Sequence, residues 1–93
     1  MPRWLKRAAQ ELEEVETYIA GENPDSAVAM VLKIIEAVEM LDDFQGMGRP
    51  GRVSGTRELV VNGTPFVVPY RVRNGRVEIL RVYHTARKWP DRF

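Results

Sequence analysis

The chain has 93 residues, 44% hydrophobic and 29% charged, with 14 lysines and arginines against 13 acids for a net charge of +1. That length bounds it to one domain, 1–93, with little spare core, and the composition is that of a folded globule rather than a disordered tail. With no cysteine and one histidine, a disulfide framework and a thiolate zinc site are excluded, and His84 could not hold a metal alone, so neither metal nor cofactor is expected.

The N-terminal stretch MPRWLKRAAQ lacks the apolar core of a signal peptide, and no apolar run approaches the roughly 20 residues that cross a bilayer. A cytoplasmic protein without a membrane partner is expected. Residues 2–4, PRW, can end a short first strand. Leu5, Ala8, Ala9, Leu12, Val15, Tyr18 and Ile19 then recur at helical spacing, with Glu11, Glu13, Glu14 and Glu16 on the outer face, which predicts a helix over about 5–20. Gly21 can end it, Asn23 can cap the next helix, and Pro24 and Asp25 suit that helix's first turn. The second helix, about 24–43, carries an apolar stripe from Ala27 to Leu41 wide enough to touch both the first helix and a sheet.

Beyond residue 44 the period changes. TRELVV, FVVPYRV and RVEILRVYH are three strands joined by glycine-containing turns, an antiparallel meander. Alternation in the middle strand puts Phe66, Val68, Tyr70 and Val72 on a face covered by the helices, and Val67, Arg71 and Arg73 on the other. Pro69 cannot donate to a ladder, so it marks a bulge or an unpaired side. The fold class is α+β: an N-terminal helical hairpin packed on a small antiparallel sheet, in the order β-α-α-β-β-β.

Charge is segregated along the chain. Residues 1–44 hold four basic and ten acidic residues, −6, whereas residues 45–93 hold ten basic and three acidic, +7. Nine of those ten are arginine, the better residue for bidentate contacts with phosphate and carboxylate. One face is therefore built for an anionic partner, nucleic acid or an acidic protein segment. The candidate contact residues are Arg49, Arg52, Arg57, Arg71, Arg73, Arg81, Lys88 and Trp89. Arg49 and Arg52 are placed on a glycine-rich mobile loop and Arg57 on the rigid sheet after it.

The order of elements, with GRPGRVSGTRELVV at 48–61, FVVPYRV and the ending VEILRVYHTARKWP, resembles the RelE/ParE superfamily of type II toxins over nearly the whole chain. The resemblance implies a growth-inhibiting toxin, of a kind that serves plasmid stabilization, neutralised by a cognate antitoxin in a hetero-oligomer. It also implies one of two targets. RelE-like members are mRNA interferases that cut ribosome-bound message without a metal, and ParE-like members are inhibitors of DNA gyrase.

RelE-like enzymes resemble one another in a basic residue directly after an aromatic on the middle strand, where this chain has Val67 after Phe66. They also carry a basic pair after the last strand followed by an aromatic, read here as His84, Thr85 and Trp89. If the chain is a nuclease, His84 and Arg87 are its catalytic candidates. Val67, Thr85 and Trp89 favour the ParE-like reading, in which His84 and Trp89 pack, Arg71 and Arg73 meet acids of the antitoxin, and no catalysis is needed. A non-toxic nucleic-acid-binding module is the remaining alternative.

Overall fold

The computed structural model describes residues 1–85. A short strand, β1 (Arg3–Trp4), runs directly into α1 (Lys6–Ala20), and α1 ends at Gly21, whose N–H donates to the Thr17 carbonyl at 3.2 Å. The start of α2 (Pro24–Glu39) is built as its residues predict. Asn23 Oδ1 accepts from the Ser26 N–H at 3.2 Å, Pro24 occupies the first turn, and Asp25 lies at the positive end of the helix dipole. This helix stops short of residue 43 and tightens into a 3₁₀ turn, Met40–Asp42, which turns Leu41 into the core.

The second half forms β2 (Arg49–Pro50), β3 (Arg57–Val60), β4 (Phe66–Arg73), β5 (Arg76–Ile79) and β6 (Tyr83–His84). The sheet order is β1-β5-β4-β3-β2, with β6 pairing β4 beyond the end of β5. The β2–β6 pairings are antiparallel, but β1 joins β5 in parallel, with Arg3 opposite Glu78 and Trp4 opposite Ile79. The sheet is therefore mixed, because the helical hairpin carries the chain back over the sheet between these two strands. The β4–β5 hairpin turns on Asn74 and Gly75, at φ 53° and 77°. Those are the paired positive angles of a two-residue turn whose twist matches its strands.

Pro69 does mark a bulge. Tyr70 pairs with Ile79, whereas Val67 pairs with Tyr83, so three residues, 80–82, face the two residues 68 and 69. The Leu80 N–H reaches the Pro69 carbonyl at 2.9 Å. The extra residue inverts the alternation, bringing Val82 rather than Arg81 into the core with Val77 and Ile79.

The core lies between the helices and one sheet face, with Ala8, Ile34, Val38 and Leu41 meeting Leu59, Phe66, Val68 and Tyr70. Three expectations fail locally. Val67, placed on the open face, is only 2% exposed, because β6 pairs alongside it and Leu80 and Tyr83 are buried as well. Val72 is 43% exposed although it is on the helix-side face and opposite the buried Val77, because β3 begins only opposite Tyr70 and leaves Val72 without a neighbour on that side. Glu11, expected on the outer face of α1, is buried against Arg81.

Candidate functional site

Among the described residues three carboxylates are buried, Glu11, Glu58 and Glu78, and each is held by arginine. An ionised carboxylate out of water must be paired and hydrogen-bonded, so these acids decide which arginines are left to face a partner.

Glu58 organises the glycine-rich stretch. In β3 it lies opposite Arg49 of β2, accepts from Arg49 Nε at 3.2 Å with Nη2 of the same ion pair at 3.1 Å, and takes the Arg52 backbone N–H on its other oxygen at 2.9 Å. Arg57 Nη1 donates to the Gly48 carbonyl at 2.9 Å. The Gly48 N–H donates to the Tyr70 hydroxyl at 2.9 Å, and that hydroxyl donates to the Gln45 carbonyl at 2.7 Å. Gly48 is needed here because a Cβ would lie 2.6 Å from Tyr70 Cε1. Between the strands, Gly51 N–H meets the Thr56 carbonyl at 2.8 Å. A loop expected to be mobile is thus clipped to the sheet, with Arg49 and Arg57 engaged in the clip and the Arg52 side chain exposed.

Glu78, in β5, lies opposite Arg71 on one side and Arg3 on the other. It accepts from Arg71 Nε at 2.7 Å, with Arg3 Nη1 at 3.6 Å. The Arg71 hydrogen bond, reinforced by the charges of Arg71, Arg73 and Arg3 against the cost of burial, holds the Glu78 carboxyl below its ordinary range. Arg73 and Arg76 face each other at the end of the same hairpin, and neither side chain has a hydrogen bond or ion pair among the described residues.

Glu11 ties α1 to the bulge. Its two oxygens accept from Arg81 Nε and Nη2, both at 2.8 Å, and one also takes the Val82 N–H at 3.1 Å, a donor that the broken ladder exposes. The guanidinium also lies 4.5 Å from the Tyr83 ring centroid. The Glu11 hydrogen bond makes Arg81 harder to deprotonate, against the opposing effect of burial. Arg81, counted among the outward contact residues, instead joins two layers of the fold.

His84 is separated from the outer arginines. Its ring meets Phe66 edge-on at 5.5 Å and 85°, and it lines a cleft of ≈ 320 Å³ with Glu11, Glu14, Tyr18 and Val82 on the α1 side. Arg71 and Arg73 belong to the opposite sheet face. Arg87, Lys88 and Trp89 lie outside the described residues. Among the described residues no three carboxylate or imidazole groups converge as a metal site would require, and no helix is long and apolar enough to cross a membrane.

A second feature lies on the helix side of the sheet. A groove of ≈ 700 Å³ runs between α2 and β3, lined by Lys33, Met40, Met47 and Val60, the last three about half exposed. Because β2 pairs only with Arg57 and Glu58, the edge of β3 at Leu59–Val60 has no partner strand among the described residues. The buried acids had a faint signal: Glu58 and Glu78 are two of just three acids in the basic half, each inside a strand beside apolar residues.

Comparison with known proteins agrees with this architecture. The family described as ParE toxin of type II toxin-antitoxin system, parDE, matches residues 3–89. The chain is 43% identical over 89 residues to a protein of Sinorhizobium fredii named as toxin Y4kP, covering 96% of this chain and 92% of that one. It is 36% identical over 84 residues to toxin RelE2 of Caulobacter vibrioides, covering 90% and 93%. Among solved structures, the chromosomal ParDE TA system from P. aeruginosa contains a chain that superposes with a TM-score of 0.79 at 34% identity, over 88% of this chain and 91% of that one.

Proposed function

Because this chain belongs to the ParE toxin family of type II toxin–antitoxin systems, we propose that it is a cytoplasmic poison of DNA gyrase. In this reading it does not itself cleave RNA, and a cognate antitoxin neutralises it in a hetero-oligomeric complex. The names of its relatives span both subgroups, so the choice of target rests on the site. One observation carries it: His84 and the outer arginines are on different sides of the sheet. Metal-free RNA cleavage needs proton-transfer groups and positive charge converging on one phosphate. Here His84 shares its cleft with two glutamates. Val67, at the place of the RelE-like basic residue, is buried, and Arg81 is bound to Glu11.

The α2–β3 groove suits the antitoxin. A segment added along Leu59–Val60 would satisfy the open strand edge with main-chain hydrogen bonds while its apolar side chains covered Met40, Met47 and Val60. Such binding should weaken with salt without vanishing, since only its charged part is screened.

The test is a paired assay. Purified toxin should inhibit gyrase supercoiling or trap cleaved DNA, and should create no new mRNA ends on translating ribosomes. In a folded His84→Ala protein the gyrase effect should persist. Ribosome-dependent cleavage that falls about 100-fold in that variant, the scale of losing a general acid or base, with gyrase untouched, would reverse the assignment to the RelE-like mechanism.

A further inference from the structure

The outer face of the β1–β5–β4 sheet carries more positive charge than its own acids neutralise. Arg71 and Arg73 are two apart on β4 and so share a face. Arg76 lies opposite Arg73, Glu78 opposite Arg71, and Arg3 opposite Glu78. Four arginines thus surround one carboxylate, and that carboxylate is already engaged by Arg71 and Arg3. Arg73 and Arg76 directly oppose each other, an arrangement that disfavours the hairpin unless an anion lies between or over the two guanidinium groups. Both side chains are exposed.

We propose that this face, centred on Arg73 and Arg76, is a phosphate-backbone contact site through which the toxin binds duplex DNA directly and without reading its sequence. This deepens the reading of the chain as a gyrase poison, whose target enzyme works on duplex DNA. Arginines two apart on a strand are spaced by roughly 6.5 Å, comparable to the separation of successive phosphates along a nucleic-acid strand. Guanidinium groups also match phosphate oxygens in a bidentate way that suits repeated backbone contacts.

Two features favour the duplex over other polyanions. Binding of single strands relies on exposed aromatic platforms for unstacked bases, and none of β3, β4 and β5 presents one: Phe66 and Tyr70 are buried. An acidic peptide, in turn, needs apolar anchors to hold it, and the exposed apolar side chains of this molecule lie mainly on the α2–β3 groove and the helices, while Val72, beside Arg73, belongs to the opposite face of the sheet. The acidic hairpin does not cancel the field, because the helices pack on the opposite face of the sheet, where salt screens their charges from Arg73 and Arg76 with a Debye length of roughly 8 Å. It should instead orient the molecule, with the sheet toward the DNA.

The test uses purified toxin without gyrase and a labelled short duplex of mixed sequence, with a single strand of equal length and a polyglutamate peptide as competing probes. Duplex binding should be sequence-indifferent, and log affinity should fall with log salt at a slope of about −3, as expected for three to four phosphate contacts. The Arg73→Glu, Arg76→Glu protein, and the milder Arg73→Gln, Arg76→Gln protein, should remain folded by circular dichroism. Each should lower the magnitude of that slope by about 2 and the affinity by about tenfold or more. An Arg7→Glu, Lys33→Glu protein, with the same change in net charge as the Glu pair, should lose far less. Failure of the wild type to bind duplex, an equal loss in that control, or tighter binding of the single strand or the peptide would overturn the proposal. Gyrase inhibition without duplex binding would overturn this inference alone, whereas duplex binding without gyrase inhibition would overturn only the assignment of the target.

Discussion

Two groups of arginines lie on neighbouring hairpins of one sheet and have opposite fates. In the clipped loop, Arg49 and Arg57 are bound by the Glu58 carboxylate and the Gly48 carbonyl. At the tip of the β4–β5 hairpin, Arg73 and Arg76 face each other with no acid between them. Residue type and local sequence are alike, with glycines and arginines beside a turn. What separates the groups is whether strand register sets an acceptor opposite the guanidinium. Basic charge counted along a sequence therefore overstates the charge available to a partner, and buried carboxylates identify the arginines to subtract.

The sharpest way to break this comparison is at the third acid. Glu11→Ala would leave Arg81 partly buried without its carboxylate and the Val82 N–H without an acceptor, and should cost about 3–5 kcal/mol. In a domain of this size that lowers Tm by more than roughly 12 °C, measurable by thermal unfolding. The paired change Glu11→Leu, Arg81→Met should recover much of the loss, because no charge is then stranded. An unaffected Tm in Glu11→Ala would show that the bidentate pair does not hold α1 to the bulge.

A smaller effect is expected at the loop. Glu58→Gln removes the charge that clips Arg49 but leaves an amide oxygen for the Arg52 N–H, so it should cost roughly 1 kcal/mol, Arg49 being half exposed. The more sensitive readout is limited trypsin digestion, which should cut after Arg52 faster than in the wild type. Equal digestion would mean the clip does not restrain the loop.

Glu78 gives the comparison a pH dependence. Its carboxyl is held below the ordinary value of 4.5 by Arg71 first, and by Arg73 and Arg3. A group depressed in the folded state stabilises fully above its unfolded value and loses that stabilisation as pH falls through the folded one. Wild-type stability should therefore drop on acidification below about pH 4.5, and the drop should be shallower in Glu78→Gln. Identical acid limbs would show that Glu78 does not contribute to acid unfolding.

The smallest expected effect lies at the hairpin tip. Arg73→Glu, Arg76→Glu should shift stability by less than about 0.5 kcal/mol, since both groups are exposed and the wild-type pair is repulsive. Chemical denaturation checks this. A loss comparable to that of Glu11→Ala would place these arginines with the structural group.

Much of this architecture is legible in the amino-acid sequence because it depends on neighbours in the chain. The Asn23 cap, Pro24 at the start of α2, the Asn74–Gly75 turn and the bulge at Pro69 follow from backbone chemistry within a few residues. The candidate site is legible there only as composition: nine arginines in the basic half, and a departure at Val67 from the RelE-like pattern. Which of them face outward is not legible, because burial of a charge depends on a partner brought from elsewhere. Glu11 meets Arg81 across 70 positions, and Glu58 meets Arg49 only once β2 and β3 are in register. The same holds for the parallel pairing of β1 and for His84, which the bulge and the α1 packing turn toward the acidic helix. Sequence by itself determined the two helices, the main strands with their turns and the segregation of charge, since these arise from short-range sterics and hydrogen bonding. Only the tertiary structure decided which arginines are bound within the fold and which remain for a partner, because a buried carboxylate selects its cation by proximity in space.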